Sequence, residues 1–457
     1  MRRFALLSPL PALLLVCAGP ARAVDQESAA TAAPAGSAGQ SEAPRPQYEI
    51  YLDTRLAAEA GASMVSAAVT LLGTAEAKLL RPFEPGAQGN GAAAGVAASG
   101  GADPAASAAG GRYPPSAGIA LRALRTIVWD APVAWWFGIM QHEAFGHGGR
   151  AREFDADPGV HLGSPWQGRS SYSSFDPTGL STEELLYITA GGVEANGYAA
   201  TFLERRAVAG VRMRPIDLLF LASNRLVLSD YVLRTTADPG DDPSRFYGEF
   251  SGGGDVAHYI DELLRLNGVP AVITPAGVNE PVQREYERLE RQAIWNALDP
   301  GVWWALGSVA KLVARGDGAV PLPLPRWGRY RFLPALSAQW TPSGGQLSLE
   351  WIAAREETSH WFSLIVRRGD GPSGPFGALG GAIDDRFRAG PLQLGGMAEV
   401  WHDPRNGLGA GGRLRSRIAR GRVRGFFFDV GVKSQGYWVG QPARAGLFGG
   451  IGIDFTR

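Results

Sequence analysis

From residue 328 to residue 457 the chain alternates apolar and polar residues in runs of about ten, separated by Gly, Pro, Asp or Asn. Gln346, Ser348 and Glu350 alternate with Leu347, Leu349 and Trp351. Gln393, Gly395, Met397 and Glu399 alternate with Leu392, Leu394, Ala398 and Val400, and Arg413, Arg415 and Arg417 face away from Leu414 and Ile418. A period of two with one wholly polar face means strands whose two faces meet different media. At roughly 16 residues per strand and turn the stretch holds about eight strands, the smallest usual size of an outer-membrane β-barrel. Glu350, Glu399 and the three arginines suit a small charged lumen. Trp340, Trp351, Trp361 and Trp401 stand near strand ends on the other face, where aromatic girdles sit. A soluble periplasmic β-domain gives the same alternation and is the alternative.

The segment Gly450-Ile451-Gly452-Ile453-Asp454-Phe455 resembles the terminal-strand signal of outer-membrane barrels, with Thr456 and Arg457 following the aromatic residue. The N-terminus points the same way. Arg2 and Arg3, the apolar run from Leu6 to Val16 and Ala21-Arg22-Ala23 have the order of a secretory signal peptide over 1–23, too short for a membrane span. The one cysteine, Cys17, is expected to leave with it, so the exported chain has no thiol and no disulfide. The 44 basic and 44 acidic residues cancel, so nothing in the charge balance points to an extended nucleic-acid surface.

Residues 24–115 are expected to form a tether. Ala, Gly, Ser, Pro and Glu dominate 24–47 and 83–115, which bury too little to fold, and one amphipathic helix over 51–80 is marked by Leu56, Met64, Val65, Val69 and Leu72. Residues 116–320 have mainly helical periodicity, which predicts helices over about 118–129, 132–147, 181–207, 215–236, 255–266, 281–297 and 301–314. Ser181-Thr182-Glu183-Glu184 is a capping box, Pro215 opens the next helix and Asp255 is read as an N-cap. Residues 160–175 have no helical period and are expected to form a loop or irregular hairpin. The fold class expected is multidomain α plus β: a helical domain over 116–320, then a closed antiparallel barrel over 328–457.

Within the helical part, Trp135 to Met140 lead into Gln141-His142-Glu143-Ala144-Phe145-Gly146-His147. Zinc takes neutral imidazoles and carboxylates from one side of a rigid element, with one position left for water, and a glutamate beside that water can take its proton. The usual signature is H-E-x-x-H, with histidines one helical turn apart. Here the spacing is one residue longer, so on a regular α-helix the two imidazoles would stand roughly 140° apart. A bulge or loosened turn at Gly146 is expected to bring them together.

His142-Glu143-Ala144-Phe145-Gly146-His147 resembles the H-E-x-x-G-H motif of the dipeptidyl peptidase III family of zinc metallopeptidases. The resemblance covers these six residues only. It implies that His142 and His147 are zinc ligands, that Glu143 is the general base, and that a glutamate on a later helix is the third ligand. Glu194, in the small-residue run Thr189-Ala190-Gly191-Gly192-Val193-Glu194-Ala195-Asn196-Gly197, is the candidate by position and environment. His258, Tyr198 and Tyr231 are candidate transition-state donors. A second metal arrangement is open: Glu143 and His147 are four residues apart and share a helix face, with His142 pointing away. The expected activity is a zinc-dependent, peptidase-like hydrolysis in the bacterial envelope, in which a metal-bound water attacks a peptide carbonyl. Its partners would be Zn2+, a peptide or protein substrate and outer-membrane lipid, with the helical domain in the periplasm. The alternative is a non-catalytic barrel protein whose helical domain is a plug, scaffold or partner-binding module.

Overall fold

A computed structural model describes residues 47–80, 115–166, 171–356, 360–389, 392–420 and 424–456. The signal-peptide segment with Cys17 and most of the low-complexity tether lie outside the described residues. Strand β1 (Gln47–Leu52) and helix α1 (Ala58–Leu80) open the described chain. Helices α2 (Pro115–Arg125) and α3 (Ala131–Met140) are joined by a π-helical turn, Thr126–Asp130, and a second π turn, Gln141–His147, leads into α4 (Gly148–Glu153). A short hairpin, β2 (Gly159–His161) with β3 (Tyr172–Ser174), precedes α5 (Thr182–Val208), α6 (Pro215–Asp230), α7 (Pro243–Ser251) and α8 (Asp255–Leu266). After the two-residue strands β4 (Ile273–Thr274) and β5 (Gly277–Val278) come α9 (Glu280–Ala297) and α10 (Pro300–Arg315).

The helix starts follow their local chemistry. Ser181 Oγ accepts from the Glu184 N–H while Glu184 Oε2 accepts from the Ser181 N–H, a reciprocal capping box. Pro215 fills the first turn of α6, where a missing N–H costs nothing. For α8 the expectation is corrected: the N-cap is Gly254, Asp255 is the first helical residue, and its carboxylate turns elsewhere. The tether expectation is corrected as well, because residues 47–80 belong to the folded body. Strand β1 pairs with the last strand of the main sheet, and Val65 and Val69 of α1 are fully buried beside Leu203, Phe220 and Val309.

The remaining strands are β6 (Arg326–Trp327), β7 (Tyr330–Thr341), β8 (Gly344–Arg355), β9 (Trp361–Gly371), β10 (Gly374–Ala389), β11 (Leu392–Asp403), β12 (Gly407–Arg420), β13 (Arg424–Lys433) and β14 (Gly446–Thr456). With β1 they form one ten-stranded antiparallel sheet in the order β1-β14-β13-β12-β11-β10-β9-β8-β7-β6. The eight long strands number what the sequence implies, but the sheet is not closed into a barrel. One face of it packs on helices: Leu333, Ala335, Ile352 and Ala354 share one core with α1, α5, α6 and α10, and Ala338 and Trp340 share another with α8 and α9. An eight-strand barrel has an interior just wide enough for side chains, whereas a helix is about 10 Å across. Helix side chains also occupy the free edge of β7. Asn296 accepts from the Ala338 N–H at 2.6 Å and donates to its carbonyl at 3.1 Å. At this point a helix side chain takes the place of a pairing strand for both backbone groups of Ala338.

The faces of the sheet differ sharply. Along β13, Phe426, Phe428, Val430 and Val432 are 46–59% exposed, whereas Phe427, Asp429 and Lys433 on the opposite face are buried. Leu364, Leu379, Val400, Leu414 and Ile451 continue the exposed apolar face. The buried face carries ion pairs: Arg413 to Glu59 and Asp429, Arg415 to Asp429, Glu49 and Glu59, and Arg367 to Glu399. The tryptophans depart from the expected girdle. Trp351 is on the exposed face, but Trp340 stacks on Tyr259, Trp401 is buried beside Trp438, and Trp361 lies under the Arg205 guanidinium. Among the described residues, no helix is long and apolar enough to cross a membrane.

Candidate metal centre

The extra residue between the histidines is absorbed by the π turn. Its i→i+5 hydrogen bonding adds one residue to a single turn, so residues five apart come to the same side. His142 and His147 accordingly have ring centroids 4.7 Å apart and Nε2 atoms 3.0 Å apart. Glycines let α5 come close enough to complete the pocket. A Cβ on Gly146 would lie 2.6 Å from the Gly192 Cα, and a Cβ on Gly192 would lie 2.5 Å from the His142 ring.

Neighbouring groups fix the tautomer of each imidazole. Asn224 donates from Nδ2 to the Phe220 carbonyl, so its Oδ1 is the atom that faces Asn196 Nδ2. Asn196 Nδ2 donates to Asn224 Oδ1 and to the Gly138 carbonyl, so its Oδ1 faces His142 Nδ1 at 2.7 Å. An amide oxygen only accepts, hence His142 carries its proton on Nδ1. His147 Nδ1 likewise donates to the Ile188 carbonyl at 2.7 Å. Both Nε2 lone pairs are thereby aimed at one point, the arrangement by which outer partners orient metal-binding histidines. Two lone pairs facing each other at 3.0 Å repel unless a proton or a cation stands between them.

The third group at that point is Asp255. Its Oδ2 lies 3.0 Å from His142 Nε2 and 3.4 Å from His147 Nε2, and the three residues form a cluster able to hold a metal ion. The three atoms form a triangle with sides of 3.0, 3.0 and 3.4 Å, close enough for one ion at the usual zinc–ligand distances to be held by all three residues. Burial opposes the His147 imidazolium, but Asp255 and Glu143 outweigh it and raise its pKa to about 9. Burial also works against the Asp255 carboxylate, yet the two imidazoles hold its pKa well below the usual carboxylate range.

The other candidates divide. Glu143 is buried at the site, and Ser173 Oγ lies 3.0 Å from its Oε2 and 2.8 Å from its backbone oxygen. Tyr231 stacks on His142 with its hydroxyl 3.5 Å from Nε2, and burial, Asp255 and Glu143 push the phenol pKa well up, so it stays an O–H donor. Tyr198 instead lines a cavity between α5 and the sheet, with Arg205 and Arg413, and His258 packs on Phe250. Glu194 is bound by the Arg150 guanidinium at 2.6 and 3.0 Å and accepts from the Gly440 N–H at 2.6 Å. The carboxylate beside the imidazoles is Asp255, not Glu194. Both histidines turn to the same point, which disfavours the arrangement in which Glu143 and His147 bind and His142 points away. Sequence reasoning missed Asp255, Asn196 and Ser173; an aspartate in a first helical turn is ordinarily explained by the helix dipole, which hid the first of them. No protein-family model matches this chain, and no curated protein or solved structure matches it either.

Proposed function

We propose that this protein is a zinc-dependent hydrolase of peptide bonds, held in the outer membrane of a bacterial envelope by its sheet. The observation that carries the hydrolase reading is the convergence of His142 Nε2, His147 Nε2 and Asp255 Oδ2, with both imidazoles locked by Asn196 and Ile188. His142, His147 and Asp255 would hold the ion. When bound, zinc supplies a Lewis acid and lowers the pKa of water. Glu143, oriented by Ser173, takes a proton from the attacking water and passes it to the leaving amine. Tyr231, kept protonated, donates to negative charge on the carbonyl oxygen. The test is elemental analysis of protein refolded with zinc, followed by mass spectrometry of a mixed peptide library. About one zinc per chain and peptide cleavage abolished by Glu143→Gln are expected. Absence of transition metal would remove the enzyme reading.

The membrane part rests on the inverted sheet, with charged residues paired inside and aliphatic and aromatic residues outside along the same strands. Soluble monomers rarely expose contiguous apolar patches larger than a few hundred Å². A strand such as β13, ten residues long, spans about 25 Å when tilted by about 40°, the height of the apolar band of outer-membrane barrels. Extraction from outer membranes only by detergent is the expected behaviour. Release of the mature protein by osmotic shock alone would defeat this part and leave the metal site standing.

A further inference from the structure

The loop of residues 434–445, between β13 and β14, leaves the sheet and packs against the helices that carry the metal site. Tyr437, Val439 and Ala443 of the loop form one buried cluster with Ala151, Phe154, Tyr187 and Ile188. The carbonyl of that same Ile188 fixes the His147 tautomer. Arg150, three residues beyond His147, places its guanidinium between the loop and Glu194. It donates to Glu194, to Glu153 at 2.8 Å and to the Gln441 carbonyl at 2.9 Å. The loop returns two N–H groups, Gly440 to Glu194 at 2.6 Å and Ala443 to Glu153 at 2.5 Å. Lys433, the last residue of β13, holds the loop's shape by donating to the carbonyls of Gly436, Pro442 and Ala443 at 2.5–3.1 Å.

A buried guanidinium flanked by two carboxylates is tolerable only when its remaining donors, and the carboxylates' remaining lone pairs, are met. Here the loop meets them. Withdrawing it would leave Arg150, Glu194 and Glu153 short of partners in a dry interior, and the cheapest relief is to turn Arg150 toward water. That motion takes α4 and His147 with it. The segment between Arg150 and His147, Gly148 and Gly149, is itself helical and tight: a Cβ on Gly149 would meet the Ala57 backbone at 3.0 Å. Displacement of Arg150 therefore reaches the metal-bearing turn instead of dissipating in a flexible linker.

We propose that Arg150 and Glu194 are positioning residues that couple the metal centre to the β13–β14 loop, so that the ion is held tightly only when this loop is intact and packed against α4 and α5. The inference rests on the metal reading above, and its test separates the two. A protease recognition sequence inserted between the exposed Ser434 and Gln435 allows the loop to be cut after the full chain has folded and β14 is already paired on both sides. Zinc affinity is measured by chelator competition before and after cutting, and the visible spectrum of the cobalt-substituted protein is recorded at equal loading. Cutting is expected to weaken zinc binding about tenfold or more, as losses in outer-shell support do, and to change the cobalt spectrum. Lys433→Met and Arg150→Met should move both readouts in the same direction, while Ser373→Ala in the distant β9–β10 turn should move neither. Unchanged zinc affinity and cobalt spectrum in the cut protein and in Arg150→Met would overturn the coupling. Failure of the uncut wild type to bind zinc or cobalt would instead overturn the metal reading on which it stands.

Discussion

Replacing Asn196 with leucine removes three hydrogen bonds at the metal centre without touching a ligand. The amide meets His142 Nδ1 at 2.7 Å, the Gly138 carbonyl at 2.9 Å and Asn224 Oδ1 at 2.7 Å, and Asn196 is fully buried. Leucine fills the volume but leaves the His142 Nδ1–H and Asn224 Oδ1 without partners, each costing about 1–3 kcal/mol, while the Gly138 carbonyl keeps its helical N–H. It also frees the His142 ring to rotate or change tautomer, and loss of such a partner typically lowers metal affinity by about 10–100-fold. The two effects separate in a thermal unfolding titration. At zinc equal to about 100 times the wild-type Kd, the ion stabilises the wild type by about 2.7 kcal/mol; at the same concentration it would stabilise the variant by only about 0.4–1.4 kcal/mol. Chelator competition gives the affinity directly. A variant that is less stable but binds zinc as tightly as the wild type would refute the claim that Asn196 holds a ligand.

Asp255→Ala should lose zinc under conditions where Glu194→Gln still loads one equivalent; the reverse order, read by elemental analysis, would restore Glu194 as the ligand. Glu143→Gln should keep its zinc and lose about 10²–10⁴ of its activity on the peptide library, and loss of metal instead would make Glu143 a ligand. Glu262 is buried on α8, and burial raises its pKa to about 7. A carboxyl whose folded pKa is raised destabilises the fold as pH climbs from its unfolded value, near 4.5, through 7. Glu262→Gln should therefore stabilise the protein by up to roughly 3 kcal/mol at pH 8 and by almost nothing at pH 4, as denaturant unfolding at the two pH values will read. Val430, 55% exposed on the outer face of β13, separates lipid from water. Val430→Arg should cost about 2–4 kcal/mol near a bilayer midplane, against under about 0.5 kcal/mol for an already solvated position; equilibrium unfolding from vesicles measures it.

The sequence made the helices legible wherever one stripe was apolar and the start was marked. The range 255–266 expected for α8 is the range found, and α5 and α10 differ from their expected ranges by one residue at each end. The alternating faces of β8, β11 and β12 were equally legible, because side-chain direction in a strand depends only on parity. Strand β1 was hidden by its neighbour. Gln47, Glu49 and Tyr51 alternate with Tyr48, Ile50 and Leu52, but the helical spacing of α1 was extended backward over Tyr51 and Leu52. The need for a rearranged turn before His147 followed from the angle between residues five apart, though a π turn supplies it. Glu194 was recognised as a buried carboxylate needing a partner; that the partner is Arg150 depends on tertiary packing, as does the arrival of Asp255 from a helix 108 residues beyond His147. The tryptophans misled because position near a strand end does not tell which face is covered by helices.

The proposed hydrolysis and the proposed lipid-facing sheet place opposite demands on one chain, since the first needs water and the second excludes it. The connections at one end of the sheet show how both can be met. In the β9–β10 turn Ser373 bonds Asn267 just past α8, in the β11–β12 turn Arg405 pairs with Glu183 on α5, and in the β13–β14 loop Arg444 pairs with Glu184. The start of α5, which leads to Ile188 and Gly192 at the candidate metal centre, is thus anchored at one rim, while its later turns run along the inner face of the sheet to Arg205 against Glu350 and Trp361. In a sheet that spans a bilayer, this rim lies beyond the hydrocarbon, so the His142–His147 turn keeps access to water while Phe428 and Val430 face acyl chains. Inside the sheet the charged residues are already committed to one another: Arg413 and Arg415 share Asp429 and Glu59. Together with the helices packed on β7 and β8, this paired network occupies the inner face of the sheet, and the proposed chemistry falls where the last hairpin and the metal-bearing turn meet.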